Sequence, residues 1–344
     1  MRLRILSYTE QGRNTAAAIA EALSAAGHSC RRFALPKFCA SGDEPLTGGA
    51  QAWAGEGFRE DDALIFCCAS GIAVRAIAPW VKDKTTDPAV IVVDELGHYV
   101  IPLLSGHLGG ANELALTIAR ELGATPVLTT ATDLHGLFAV DVFASKNHLA
   151  IGEIALAKEV SASLLAGGTV GFRSNLPWEG PLPQGLTAGD AELGILISAD
   201  RTAFPFPRTL HLIPRRYAAG IGCRRGKPKE ELEAFLLEQL ARCGVAAAEL
   251  RCIASIDLKA DEAGLLSLCG QYRLPLITYS AEQLSAAPGE FTGSEFVKKT
   301  TGVDSVCERA AVLAAQGPLI VKKTAATGMT FALAQYKEEA ICFA

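Results

Sequence analysis

The chain has 344 residues, 49% of them hydrophobic and 20% charged, with a formal net charge of −5. That balance excludes a disordered chain and offers no broad basic face for nucleic acid. The length exceeds one ordinary core and predicts two or three domains. With no run of 18 apolar residues and no leader pattern, the expected location is the cytoplasm, away from membranes.

Residues 3–9 (LRILSYT) read as a strand, followed by a helix over 12–27 with Asn14 or Thr15 near its cap. A buried strand at 62–70 (DALIFCCAS) leads into a helix (GIAVRAIAPWV), and AVIVVDEL at 89–96 is a third strand. After a turn and YVIPLL comes a glycine-rich loop, SGHLGGAN, opening a helix that ends at Gly123; TPVLTTAT at 125–132 is a fourth strand. Short β-branched runs alternating with helices predict an α/β fold, a doubly wound parallel-sheet domain over 1–133.

Beyond residue 134 the rhythm changes. A helix (IGEIALAKEVSASLLAGG), then strands TVGFRS and LGILISAD, predict a small α/β middle domain over 134–216. In FPFPRTLHLIPRR, Pro205, Pro207 and Pro214 argue for an edge strand and linker rather than a helix. From Tyr217 to residue 344 a C-terminal α/β domain is expected: YAAGIGCRRG as strand and loop, PKEELEAFLLEQLARCG as a helix, LRCIASID as a strand, DEAGLLSLCGQYR as a helix, and PLIVKKTAATGMTFALAQYK as a final strand pair. The ten cysteines include no CxxC, which argues against a disulfide framework, zinc or an iron–sulfur cluster, and most read as small buried hydrophobes.

Two motif sets carry a family resemblance. SGIAVRAIAPWVKDKTTDPAVIVVDELGHYVIPLLSGHLGGANELA and PVLTTATD, then GIGCRRG, ASIDLKADEAGL, SEFVKKTTGVDSVCERAA and LIVKKTAATGMTFALA, resemble the cobalamin-biosynthesis hydrolases that act on cobalt-precorrin-5A. The resemblance runs from about residue 61 onward and is weakest over 1–60 and the middle domain. It implies hydrolysis of a ring-A δ-lactone, with loss of the extruded carbon and its methyl as acetaldehyde to give cobalt-precorrin-5B. It also implies an anionic cobalt-tetrapyrrole substrate that brings its own cobalt, no cofactor of the enzyme's own, and neighbouring enzymes of the pathway as candidate protein partners.

Lactone opening needs delivered water, donors for an oxyanion and a proton relay. His107, flanked by Ser105–Gly106 and Gly109–Gly110 at the mouth of a helix, is the acid–base candidate. With Asn112 that mouth suits an oxyanion or carboxylate; alternatively, Ser105 or Asn112 simply caps the helix. Asp94 and Glu95, expected at a strand's carboxyl end, are candidates to orient His107 or activate water, or else are solvated loop acids. Ser70 and Gly71 open a helix carrying Arg75, which could grip a carboxylate, and LTTATD offers Thr130, Thr132 and Asp133. In the C-terminal domain, Gly222, Arg224 and Arg225, with Ser255, Asp257, Lys259 and Lys323, are the expected substrate contacts; ASIDLKADE reads as an alternating, exposed strand end. Cys223 lacks Cys–His nucleophile grammar, and six scattered histidines build no metal cage. A rival reading is a non-catalytic tetrapyrrole carrier; a nucleotide enzyme is disfavoured by the missing P-loop and GxGxxG.

Overall fold

The computed structural model describes residues 1–83, 86–106, 109–129, 137–294, 299 and 301–343. It forms two compact units, Met1–Val142 and Phe143–Ala344. Among the described residues no helix is long and apolar enough to cross a membrane.

The first unit contains β1 (Arg2–Ser7), α1 (Glu10–Ala25), β2 (Ser29–Ala34), β3 (Asp43–Pro45), α2 (Gly49–Glu60), β4 (Ala63–Cys67), α3 (Ser70–Ile77), β5 (Ala89–Val93), β6 (Tyr99–Leu104), α4 (Ala111–Leu122) and β7 (Thr125–Pro126). They make one sheet in the order β3-β2-β1-β4-β5-β6-β7. Side chains alternate across β4, so Ala63, Ile65 and Cys67 pack under α1 and α4 while Leu64 and Phe66 pack with Trp53 and Ile77 on the other face. Because both faces are covered, β4 and β5 are apolar throughout, which made them readable in the sequence.

Strands β1 to β5 are parallel, as expected, and the doubly wound architecture holds; β6 runs antiparallel to β5. The link between them is too short for a crossover. Asp94 shapes it: its carboxylate accepts from the amides of Leu96 (3.2 Å) and Tyr99 (2.6 Å), and its carbonyl accepts from Gly97. Of the expected fourth strand, Thr125–Pro126 form β7, parallel to β6, among the described residues. Helix α1 starts earlier than expected: Thr9 caps it through Gly12, leaving Asn14 and Thr15 inside.

The second unit holds two five-stranded sheets, preceded by α5 (Val140–Lys146). The first combines β8 (Leu149–Ile151), β9 (Val170–Ser174), β10 (Leu186–Thr187), β11 (Leu193–Ile197) and β12 (Arg208–Pro214), with α6 (Ile154–Leu165), in the order β10-β9-β11-β12-β8. The proline-rich stretch is therefore an interior strand, not an edge. Pro205 and Pro207 precede it, and Pro214 is its last residue, where the β8 pairing also ends.

The second sheet combines β13 (Tyr217–Cys223), α7 (Lys229–Arg242), β14 (Leu250–Ile256), α8 (Ala263–Tyr272), β15 (Leu276–Tyr279), α9 (Ala281–Ser285), α10 (Val306–Ala315), β16 (Leu319–Ala326) and β17 (Met329–Gln335). Its order is β15-β14-β13-β17-β16, with the final pair a hairpin as expected. Gly220 lets α10 lie directly on β13: a Cβ there would come 1.8 Å from the Cys307 carbonyl oxygen. After β17 the chain crosses back to the first sheet of this unit. Ile341 bridges Trp178, Asn147 and the Cys342 backbone exchange hydrogen bonds, and Phe343 stacks on Phe143 at 5.1 Å.

Candidate functional site

The N-terminal candidates fall at two opposite edges of the sheet. Ser70, Gly71, Arg75, Asp94 and Glu95 stand where β4 and β5 end. Ser105 and Gly106 follow β6, which runs the other way, so they lie where β5 begins: Leu104 pairs with Val90, and the Ser105 hydroxyl donates to the Asp87 carbonyl at 2.8 Å. Five residues of β5 separate the edges by about 17 Å. Asp94 and Glu95 therefore do not stand beside Ser105 and Gly106. A sequence read with β6 parallel would put all of them on one edge; the hairpin reverses the loop's position.

Each acid at the far edge has a structural occupation. Asp94 forms the hairpin turn, and Glu95 accepts a hydrogen bond from the Thr9 hydroxyl (2.8 Å) while its carbonyl accepts from Thr15 (2.7 Å). Arg75 is exposed and folds back over Gly71; none of the described residues forms an ion pair with it.

The described residues flanking the glycine-rich turn pack closely. Ser105 holds a left-handed φ of 56°, rare outside glycine and a mark of stored strain. Gly109 lies against it so closely that a Cβ would fall 2.3 Å from that of Ser105. The helix α4 is capped by Gly110 without a side chain; instead the carbonyls of Ser105 and Gly106 accept from the amides of Ala111 and Asn112. Side-chain capping by Ser105 or Asn112 is thus corrected to capping by backbone, and those two amides have no capacity left for an anion. Asn112 is buried against Gly106. After β7, Val127 continues along Val100 toward the same edge. His107, Thr130, Thr132 and Asp133 lie outside the described residues.

The C-terminal candidates converge. Gly222, Arg224, Arg225, Ser255, Lys259 and Lys323 all line one cavity of about 860 Å³, within the ~300–1,000 Å³ of small-molecule sites. Ile256, Leu258, Val306 and Met329 give it apolar walls, and among the described residues its charged lining side chains are all cations. Asp257 is not among them. The strand stops at Ile256, and residues 257–259 form a tight helical turn, so the expected alternating strand end is corrected. Ser255 is fully buried, its hydroxyl donating to the Ile221 carbonyl at 2.7 Å.

The four cations differ. Arg225 faces Asp261 through two 3.2 Å bonds, which hold the Asp261 carboxyl below its usual range. Lys259 contacts Glu262 at 2.7 Å, both side chains almost enclosed. Burial pushes the Glu262 carboxyl up, but Lys259 and the Gly226 amide outweigh it, leaving it lowered. Neither Arg224 nor Lys323 has an ion pair among the described residues. Burial raises the Cys223 thiol at the same wall, which disfavours the thiolate.

Sequence reasoning missed Glu308. It is wholly buried and accepts from the Thr292 amide and hydroxyl, the Ser305 hydroxyl and the Lys323 amide. Burial raises its carboxyl, yet those donors win and leave it lowered. A glutamate in the first turn of an alanine-rich helix gives no sequence sign of that role.

The families described as cobalamin synthesis G N-terminal, cobalamin biosynthesis central region and cobalamin synthesis G C-terminus match residues 52–133, 138–214 and 217–334. A cobalt-precorrin-5A hydrolase of Salmonella typhimurium is 39% identical over 88% of this chain and 90% of its own. One from Priestia megaterium is 32% identical over 81% and 80%. A cobalamin biosynthesis protein G homolog from Sulfolobus solfataricus, of known structure, is 21% identical with 97% of each chain covered and a TM-score of 0.46.

Proposed function

This chain belongs to the cobalt-precorrin-5A hydrolase family, and from that premise we propose that it opens the ring-A δ-lactone of cobalt-precorrin-5A and releases the extruded two-carbon unit as acetaldehyde. The chain is a hydrolase; its kin carry that name, and a carrier without chemistry is set aside. In the proposed reaction, water adds to the lactone carbonyl and the ring opens to a carboxylate and an alcohol. The alcohol then loses its proton and forms the aldehyde C=O as the carbon–carbon bond breaks. That bond's electron pair stays on the macrocycle, which takes up a proton to become cobalt-precorrin-5B. The cobalt arrives with the substrate, the enzyme supplies no cofactor of its own, and the reaction takes place in the cytoplasm.

The observation that carries this reading is the C-terminal cavity, apolar in its walls and, among the described residues, cationic in all its charged lining side chains. A cobalt-tetrapyrrole with carboxylate side chains presents the complementary surface. For the proton relay we assign His107, the imidazole of the glycine-rich turn. The strained Ser105 and the close Gly109 support it, because such geometry collects where a loop must hold one conformation for function.

The test is anaerobic incubation with cobalt-precorrin-5A while released acetaldehyde is trapped by a carbonyl reagent. The wild-type protein is expected to release it and His107→Ala to lose at least 100-fold in rate while retaining binding. Equal release from both would remove His107 from the chemistry. No release from either, with the macrocycle bound, would return the carrier.

A further inference from the structure

We propose that Arg224 and Lys323 are the two cations that take the carboxylates of the ligand in the C-terminal cavity, and that Arg225 and Lys259, on the same walls, do not. The inference rests on the reading that this cavity holds a tetrapyrrole, and it names how.

The argument is a charge account. Each of the four cations lines the cavity, but Arg225 already forms a two-point contact with Asp261, and Lys259 is enclosed with Glu262. A ligand carboxylate that took either cation would have to compete with the acid already paired to it. For Lys259 it would also take the ammonium away from Glu262, whose side chain is only 4% exposed. Arg224 and Lys323 carry no such debt. Among the described residues no carboxylate lies within ion-pair distance of either, and Lys323 is half-buried.

The backbone around Lys323 is arranged to keep it so. β16 departs from regular register with β17 between Val321 and Thr324. At that irregularity the Lys323 amide leaves the ladder and donates to buried Glu308 at 2.8 Å. Glu308 takes the amide while three further donors, from Thr292 and Ser305, hold its carboxylate in place. It is a positioning residue: it fixes the lysine's backbone and leaves the ammonium unpaired. Arg224 stands where β13 runs out, its amide fixed by the Gly328 carbonyl at 3.0 Å and its side chain lying along Gly328. The two cations thus come from separate strands bordering the cavity. The ligand class that fits is a flat, apolar-bodied molecule with two or more separated carboxylates.

The probe is uroporphyrin, a stable tetrapyrrole with carboxylates on every pyrrole, titrated into the full chain by its absorbance change at several salt concentrations. Arg224→Gln and Lys323→Gln are each expected to weaken binding five- to tenfold and to flatten the salt dependence. Arg225→Gln is expected to stay within twofold. The octamethyl ester, which has no anionic groups, is expected to bind wild type and the Arg224→Gln/Lys323→Gln double variant alike. Circular dichroism melts confirm that each variant is folded. A loss at Arg225→Gln as large as at Arg224→Gln overturns the charge account, and no loss at Arg224 or Lys323 overturns the site.

Turnover separates this from the function. With cobalt-precorrin-5A, the double variant should raise KM at least tenfold with kcat little changed. Normal KM in that variant sinks the proposal while the hydrolase stands. Salt-dependent uroporphyrin binding through both cations, without any acetaldehyde from wild type, upholds the site and sinks the reaction.

Discussion

Arg4 is completely buried, donating to the Trp53 carbonyl at 2.8 Å and paired with Asp61, between the rings of Phe33 and Trp53. Asp61 is itself 6% exposed, so removing the arginine alone leaves an uncompensated buried charge. Arg4→Met should destabilise the first unit by about 3–5 kcal/mol in thermal unfolding, and adding Asp61→Leu should recover most of it. If the double variant is no better than the single, the pair is not the source. Glu308 makes a pH prediction. Its carboxyl is lowered in the folded protein, so the unfolded chain binds its proton first as pH falls. Its contribution is present above its ordinary value of 4.5 and is lost as pH drops through the depressed folded value. Glu308→Gln should cost about 2–3 kcal/mol at neutral pH and remove that acid-side slope from the stability profile of the second unit.

Among elements, the hairpin between β5 and β6 decided what the sequence could show. The apolar runs of β1, β4 and β5 and the glycine-rich start of α4 were legible because burial and backbone conformation leave marks in composition. Strand direction leaves none: YVIPLL reads the same parallel or antiparallel, yet its direction moves Ser105 and Gly106 to the edge opposite Asp94 and Glu95. Likewise GIGCRRGK and VKKTAATG disclosed cations, while the acids that occupy two of them, Asp261 and Glu262, sit one turn beyond a strand and looked like ordinary surface charge. The seat of α10 on β13 gives the prediction at this scale. Gly220→Ala would drive a methyl into the Cys307 carbonyl, forcing the helix off the sheet. A loss of about 3 kcal/mol or more is expected in chemical denaturation, together with a weakened cavity, since Val306 and Cys307 line it. An unchanged midpoint would show that α10 is not held by that contact.

At the scale of the whole second unit, the return of the chain to its first sheet ties two α/β layers together. Ile341 is 2% exposed, and Phe343 packs on Phe143 and, at 5.3 Å, against Phe172. Phe343→Ala should cost about 2–3 kcal/mol, and its signature should be local. Hydrogen exchange should speed at β9 and β11 while β13 and β14 stay protected; equal acceleration in both sheets would mean that the contact supports the unit as a whole. The crossing also sets an order of events during synthesis. Asn147 must wait for Cys342, 195 residues later, before its two hydrogen bonds to that residue's backbone can form. At ribosomal speeds of ~5–20 residues per second that delay is roughly 10–40 s. The sheet encoded before the C-terminal domain is therefore completed after that domain's sequence has been made, and for those seconds the ring of Phe172 faces a nascent chain that has not yet supplied its cover.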